Sequence, residues 1–565
     1  MSTDGQTGFI HELLMAMPLS AQHVLICDGK GLSSAYRARN PMAMVNGMGM
    51  TDREGVDCLI SGDPAKISKM RMAGFDRNQT YDLIVLNGTL GRLSNPAPML
   101  RRMRALLKPG GCLIACERNA GHWSILRDQF LGRGGNQGAL GAEVLPAILK
   151  DAGFTQHRLV ARREQADSDM AKLWLARLIG LGETAKLSPE RLDSRLRASH
   201  LICVATHAPE ADTGMSLSPL RLHQIVLADK MDIRTRIPVT ALAAEPELVV
   251  TTTSKFLSVP DMGARGGVVI VQRPRISDPK QMLNFTAECQ RRGIVMVLEY
   301  DDDPSLVART LPREDVPEIY DYNYALCHAI QTSTEVLAHK FGRVNPEVRV
   351  FANGAEDLAP LSGHEPGPVR VLIAALNRSR MQELATYLRP AIDELPDAQF
   401  GVIFDREFFD ALPTDRKIYY PLLEYDQYMG ALKHADIALM PLEGLPDELG
   451  KSDVKWVEAA SRSAVAIASP AVYAKTIRHG ENGFIATEPE DWSRILIQLA
   501  NDHDLRSRVS ATAYDEVARN RMMAGQVAER RNWYQSLMER REELFAGAVR
   551  RSPALAAVLG KGFSV

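Results

Sequence analysis

Short apolar runs alternate with amphipathic stretches along the chain. In the first third the runs are His23–Cys27, Val56–Ile60, Tyr81–Asn87, Cys112–Cys116 and Leu201–His207. Apolar runs bounded by turn residues predict buried strands. Between them Met99–Leu107 has helical periodicity, and Lys108-Pro-Gly-Gly111 predicts a turn. The middle third repeats the pattern with Leu248–Thr252, Gly267–Gln272 and Ile294–Glu299, and with a helix over Ser277–Arg292. The last third has Val369–Ala375, Ala398–Phe404, Lys417–Tyr420, Ile437–Met440 and Ala464–Ala468, then helices from Trp492 to Phe545. Such alternation predicts an α/β fold with parallel sheets.

Two stretches rich in breakers or polar residues interrupt the pattern, Pro209–Ser218 and Leu361–Pro368. They divide the chain into 1–210, 219–360 and 366–548, with a tail over 549–565. Ala166–Leu196 is a charged helical excursion inside the first part.

Composition narrows the function classes. The chain has 565 residues, 45% hydrophobic and 24% charged, with a net charge of -2. That balance suits soluble domains with large cores and gives no global pull toward nucleic acid. Seven cysteines without framework spacing point to reduced thiols and a cytoplasmic setting. No signal peptide or membrane span is expected. The basic and apolar tail around Arg550-Arg551 is a candidate contact with the inner face of a membrane.

The most informative stretch is Gly450-Lys-Ser-Asp-Val-Lys-Trp-Val-Glu-Ala-Ala460. It lies between the strands Ile437–Met440 and Ala464–Ala468, as in a βαβ unit whose loop opens on a ligand crevice. Ser452 is the expected N-cap. Lys451 and Glu458 are seven residues apart, about two helical turns, hence near one face and roughly 10 Å apart. A cation at a helix N-terminus suits a diphosphate, and a deeper carboxylate suits two ribose hydroxyls. An ordinary amphipathic helix shows the same spacing.

This stretch, with Ala464-Val-Ala-Ile-Ala-Ser469 and His479-Gly-Glu-Asn-Gly483, resembles the donor segment of retaining, group 1 GT-B glycosyltransferases. The resemblance implies a two-lobed GT-B enzyme, with Lys451 and Arg378 on the donor diphosphate and Glu458 on the ribose. Arg380 is a second basic residue in the same loop as Arg378. Many relatives carry another Glu where this chain has Gly450, and Glu448 is out of register. On the acceptor side the run Tyr300-Asp-Asp-Asp-Pro304 stands where many relatives have a His. Asp301 is therefore the catalytic candidate, orienting an acceptor hydroxyl or taking its proton. His328 is expected to be structural, and Asn353-Gly354 to lie at the cleft between lobes. No metal is required, because protein cations and dipoles neutralise the leaving group.

Residues 15–208 resemble class I S-adenosylmethionine-dependent methyltransferases. The segments are Tyr81–Leu93, Leu106-Leu-Lys-Pro-Gly-Gly111, Asn119–Ser124 and Asp151-Ala-Gly-Phe154. The cofactor positions would be Asp28, Gly29, Gly31 and Asn87. The glycine run is short, Gly91-Arg92 replaces the usual Glu-His, and the ribose-holding acid would fall near Ser61–Asp63. A degenerate scaffold is the expectation for this part.

The chain thus reads as three Rossmann-like domains. The expected function is sugar transfer from a nucleotide-sugar donor to a glycan or protein acceptor. The alternatives are a bifunctional enzyme that also methylates, and a non-catalytic assembly protein. A second copy of the chain is a further candidate partner.

Overall fold

The computed structural model describes residues 3–49, 53–60, 80–133, 138–154, 156–164, 168–184, 186–206, 219–227, 232–255, 258–274, 278–310, 316–361, 367–374 and 380–560. The chain forms two compact units. One comprises residues 1–219 with 243–247, and the other 220–242 with 248–565.

In the first unit eight strands form one sheet. They are β1 (His23–Cys27), β2 (Met44–Met48), β3 (Cys58–Ile60), β4 (Tyr81–Asn87), β5 (Leu107–Asn119), β6 (Ala139–Leu140), β7 (Gln156–Arg163) and β8 (Ala198–Thr206). The order is β3-β2-β1-β4-β5-β8-β7, with β6 beside β5. β8 runs antiparallel to β5 and β7. Winding both ways from the β1–β4 neighbours leaves a crevice at their carboxyl ends.

Two local expectations are corrected. The expected second strand, Val56–Ile60, is the third in the chain, because β2 precedes it and lies between it and β1. Asn46 and Gly47 hide β2 from a propensity reading, although Asn46 donates to the Tyr81 hydroxyl at 3.0 Å inside the sheet. Ser61–Asp63 lies outside the described residues. The Lys108–Gly111 turn is absorbed as a register shift. Tyr81 faces Leu107, and Leu83 already faces Cys112.

The second unit carries two parallel sheets. The first has β9 (Leu220–Val226), β10 (Leu248–Thr253), β11 (Gly267–Gln272), β12 (Ile294–Glu299), β13 (Ala329–Thr332) and β14 (Val348–Val350), in the order β10-β9-β11-β12-β13-β14. The second has β15 (Arg370–Ala374), β16 (Gln399–Ile403), β17 (Lys417–Tyr420), β18 (Ile437–Met440), β19 (Val465–Ala468) and β20 (Phe484–Ile485), in the order β17-β16-β15-β18-β19-β20. Each sheet is sandwiched by helices over its own core. The expected α/β architecture of Rossmann-like sheets is what the chain adopts.

The carboxyl-terminal helices return to the first of these lobes. From Ala524–Glu539, Tyr534 donates to Gln331 at 2.8 Å. The candidate membrane tail folds inward: Arg551 donates to the Cys327 carbonyl at 2.7 Å, and Leu555 is fully buried. Arg551 is half-buried, and its neighbours Pro553 and Ala557 are exposed. Among the described residues no helix is long and apolar enough to cross a membrane.

Candidate functional site in the cleft of the second unit

The loop between β18 and β19 meets the carboxyl edge of the other sheet. Thr334 donates to the Gly450 carbonyl at 3.0 Å, and Asn353 donates to the Ser452 hydroxyl at 2.7 Å. Arg309 pairs with Asp447 at 2.9 Å. The two lobes therefore face each other through this loop.

The helix that follows is Val454–Ala460, shorter than expected. Its start is moved because both capping groups are used elsewhere. Ser452 accepts from Asn353. The Asp453 carboxylate accepts two bonds at 2.7 Å from Arg521 and one at 2.7 Å from Thr476. Burial would raise the Asp453 carboxyl, but Arg521 and Thr476 hold it below the ordinary range. Lys451 therefore stands on the loop, and the helical-face argument linking it to Glu458 does not apply.

Lys451 reaches across the cleft, its Nζ 3.5 Å from Asp302 Oδ1. The acidic run is distributed over separate cations. Asp301 is paired with Arg273, Asp302 with Arg273 at 2.9 Å, and Asp303 with Lys340 at 2.7 Å. Burial opposes ionisation of Asp301, but the Arg273 guanidinium wins and holds its carboxyl below the usual range. Asp301 is thus an ionised carboxylate at the carboxyl end of β12.

Glu458 lies deeper, 5% exposed. Its Oε2 accepts from the Tyr428 hydroxyl at 3.1 Å. Burial pushes its carboxyl above the ordinary range, against the pull of Lys455, Tyr428, Tyr425 and Arg462. A carboxylate accepts about four hydrogen bonds, so Glu458 retains capacity for a pair of hydroxyls.

At Gly450 a Cβ would lie 2.8 Å from Leu337 Cδ2, so any side chain there would require the Leu337 side chain to shift. Glu448 bonds within its own loop. It is buried, and its Oε2 accepts from Glu443 and Gly444 at 3.1 and 3.0 Å. Arg378 lies outside the described residues. Arg380 is paired with Glu383, one turn on. His328 is fully buried and accepts from the Met296 N–H at 2.8 Å, the structural role expected.

Sequence reasoning missed Asp302, Arg273, Tyr428 and Arg521. Asp302 was one position from the residue singled out. The others are far from the motif in sequence and arrive by tertiary contact. Beneath Asn353, Arg234 ties the edge of the sheet together, pairing with Glu299 and donating to Phe351 O at 2.6 Å and Asn353 Oδ1 at 3.2 Å. An open pocket of about 310 Å³ beyond the ends of β18 and β19 is lined by Arg380, Glu383, Glu443, Ser469 and Trp492 but by neither Lys451 nor Glu458.

In the first unit the residues at the carboxyl end of β1 bond to those at and just after the end of β4. Asp28 has φ 58°, and its carboxylate is taken by Thr89 at 3.2 Å and by Arg92. Asn87 donates to the Asp28 carbonyl at 3.1 Å. Gly31 has φ 73°, and Gly29 folds so tightly that a Cβ would lie 2.3 Å from Ile26 Cγ2. Glu117, at 0% exposure, accepts from the N–H groups of Leu90 and Gly91 at 2.7 and 3.2 Å and so positions Arg92. Burial raises its carboxyl to about 7, with those two N–H groups opposing. Asp28 is thus engaged by Thr89 and by the half-exposed Arg92 at the position where the resemblance would place S-adenosylmethionine. Among the described residues no group of three or more His, Cys, Asp or Glu could hold a metal ion.

Residues 29–159 match the family described as "Methyltransferase domain". The first unit is similar to that family. The match spans less than half of the chain and ends before the second unit begins. No curated protein sequence matches the chain. Solved structures similar in fold include TarM of S. aureus, at 10% identity over 48% of this chain and 56% of that one, TM-score 0.39. They also include Anabaena HepE in complex with UDP and glucose, at 12% identity over 56% of this chain and 100% of that one, TM-score 0.41. A third is sucrose-phosphate synthase of Thermosynechococcus elongatus, at 10% identity over 57% and 99%, TM-score 0.42. This chain spans just over half of the TarM chain.

Proposed function

We propose that the second unit is a glycosyltransferase that moves a sugar from a nucleotide-sugar donor to a glycan or protein acceptor. One observation carries this reading. A cationic loop tip, Lys451, faces an ionised acidic edge across a cleft, with a deeply buried carboxylate, Glu458, on the helix behind it.

In the proposed reaction the anomeric C–O bond to the donor phosphate breaks and a bond to the acceptor hydroxyl oxygen forms. The nucleoside diphosphate leaves with the electron pair, neutralised by Lys451 and, as the sequence resemblance implies, by Arg378. Glu458 receives the ribose hydroxyls. Asp301, kept ionised by Arg273, orients the acceptor hydroxyl and takes its proton. Retention at the anomeric carbon is proposed from the sequence resemblance. The chemistry needs no metal on this account.

For the first unit we propose a scaffold or partner surface, favoured by the Arg92–Asp28 closure. A cytoplasmic setting is proposed from the seven free cysteines, six of them buried. The test is release of free nucleotide from a panel of sugar nucleotides, with wild type and Glu458→Ala. Turnover lost in the variant supports the reading, and equal turnover by both sinks it.

A further inference from the structure

The three carboxylates at the end of β12 are not equivalent. Asp301 and Asp303 each pair with a cation of their own lobe. Asp302 alone of the three reaches a cation of the other lobe, Lys451. That contact is 3.5 Å, looser than the 2.7 Å between Asp303 and Lys340, and both partners keep solvent access, at 20% and 27% exposure. Asp302 has a second partner in Arg273 at 2.9 Å, so losing Lys451 would not strand it. The loop is also held by Thr334 on the Gly450 carbonyl and by Asn353 on Ser452, neither of which needs the lysine.

We propose that Asp302 is a positioning residue that competes with the donor's diphosphate for Lys451. It holds the ammonium group in the cleft until a diphosphate replaces it. The proposal rests on the glycosyltransferase reading and adds an internal occupant to the same site. The physics is an exchange of partners for one cation. A single carboxylate in a partly solvated cleft binds an ammonium group weakly, and a diphosphate carries more charge on adjacent oxygens. Displaced, Asp302 remains on Arg273, so no buried carboxylate is left unpaired. The aspartate thus sets donor affinity and keeps Lys451 aimed across the cleft.

The experiment titrates the full-length chain calorimetrically with inorganic pyrophosphate, and with UDP, ADP and GDP. Five variants are compared with wild type: Asp302→Asn, Asp302→Glu, Asp303→Asn, Lys451→Met and the Asp302→Asn/Lys451→Met double. Asp302→Asn is expected to tighten diphosphate binding roughly two- to five-fold, the scale of a partly exposed ion pair. Asp303→Asn, which removes the same charge from Lys340, gives no gain. The gain disappears in the Lys451→Met background, and Asp302→Glu returns affinity to the wild-type value.

Equal affinity of wild type and Asp302→Asn, with Lys451→Met still weakening binding, overturns the competition and leaves the donor site standing. A gain that survives in the Lys451→Met background is a general charge effect and also overturns it. If no diphosphate binds wild type or any variant, the donor site itself falls, and the competition with it.

Discussion

The Tyr428 hydroxyl donates to Glu458 Oε2 at 3.1 Å, inside the lobe built on β15–β20. This bond orients the carboxylate from a helix thirty residues upstream in sequence. A hydrogen bond to a charged group contributes about 1.5–3 kcal/mol. Tyr428→Phe should therefore weaken nucleoside diphosphate binding roughly ten-fold or more while leaving circular dichroism unchanged. Unaltered binding would show that the ribose is held elsewhere.

Glu458 also sets a pH dependence. Burial raises its carboxyl in the folded state above the ordinary 4.5. A raised folded value means that its contribution to stability is fully present below 4.5 and is lost as pH rises through the folded value. Glu458→Gln cannot ionise, so urea melts should show the variant gaining on wild type as pH rises above the ordinary range. The same variant should lose nucleotide turnover. A parallel stability profile for both proteins would contradict the assigned burial.

Arg234 and Glu299 form an ion pair in which each side chain is 1% exposed. Removing one partner strands the other, at about 3–5 kcal/mol. Arg234→Met should lower unfolding free energy by that amount in urea. It should also loosen Asn353, and with it the Ser452 contact. A loss below 1 kcal/mol would mean that water enters and solvates Glu299.

Glu117 in the first unit is raised to about 7. Its share of stability is fully present below 4.5 and is lost as pH rises through about 7. Glu117→Gln should flatten the pH dependence of the first unit's melting between those limits. Protease susceptibility of the loop that carries Arg92 is a second readout.

S-adenosylmethionine should leave the melting temperature of the full chain unchanged, because Asp28 is occupied by Arg92 and Thr89. A saturable shift that is lost in Asp28→Asn would overturn the scaffold reading.

How far the primary sequence reaches differs between elements and site. Runs such as Tyr81–Asn87 and Ile294–Glu299 are buried along most of their length, and an apolar run with no polar face announces such a strand. β2 and β9 escaped because Asn46, Gly47, His223 and Gln224 break the run, yet each is satisfied or enclosed in the folded sheet. Glu458 and Lys451 stood out because one motif carries both. Tyr428, Arg273 and Asp302 did not, since their importance lies in contacts made over long sequence separations.

By itself the chain's order of apolar and polar residues determined three parallel-rich sheets, the loop that bears Lys451 and the helix that bears Glu458. Burial and backbone pairing are local enough to be written in periodicity. Only the tertiary structure decided that the helix begins at Val454, that Asp302 meets Lys451, and that Arg92 closes over Asp28. Caps and ion pairs are won by competition among all groups that arrive at one place, and that competition is settled only when the lobes are folded.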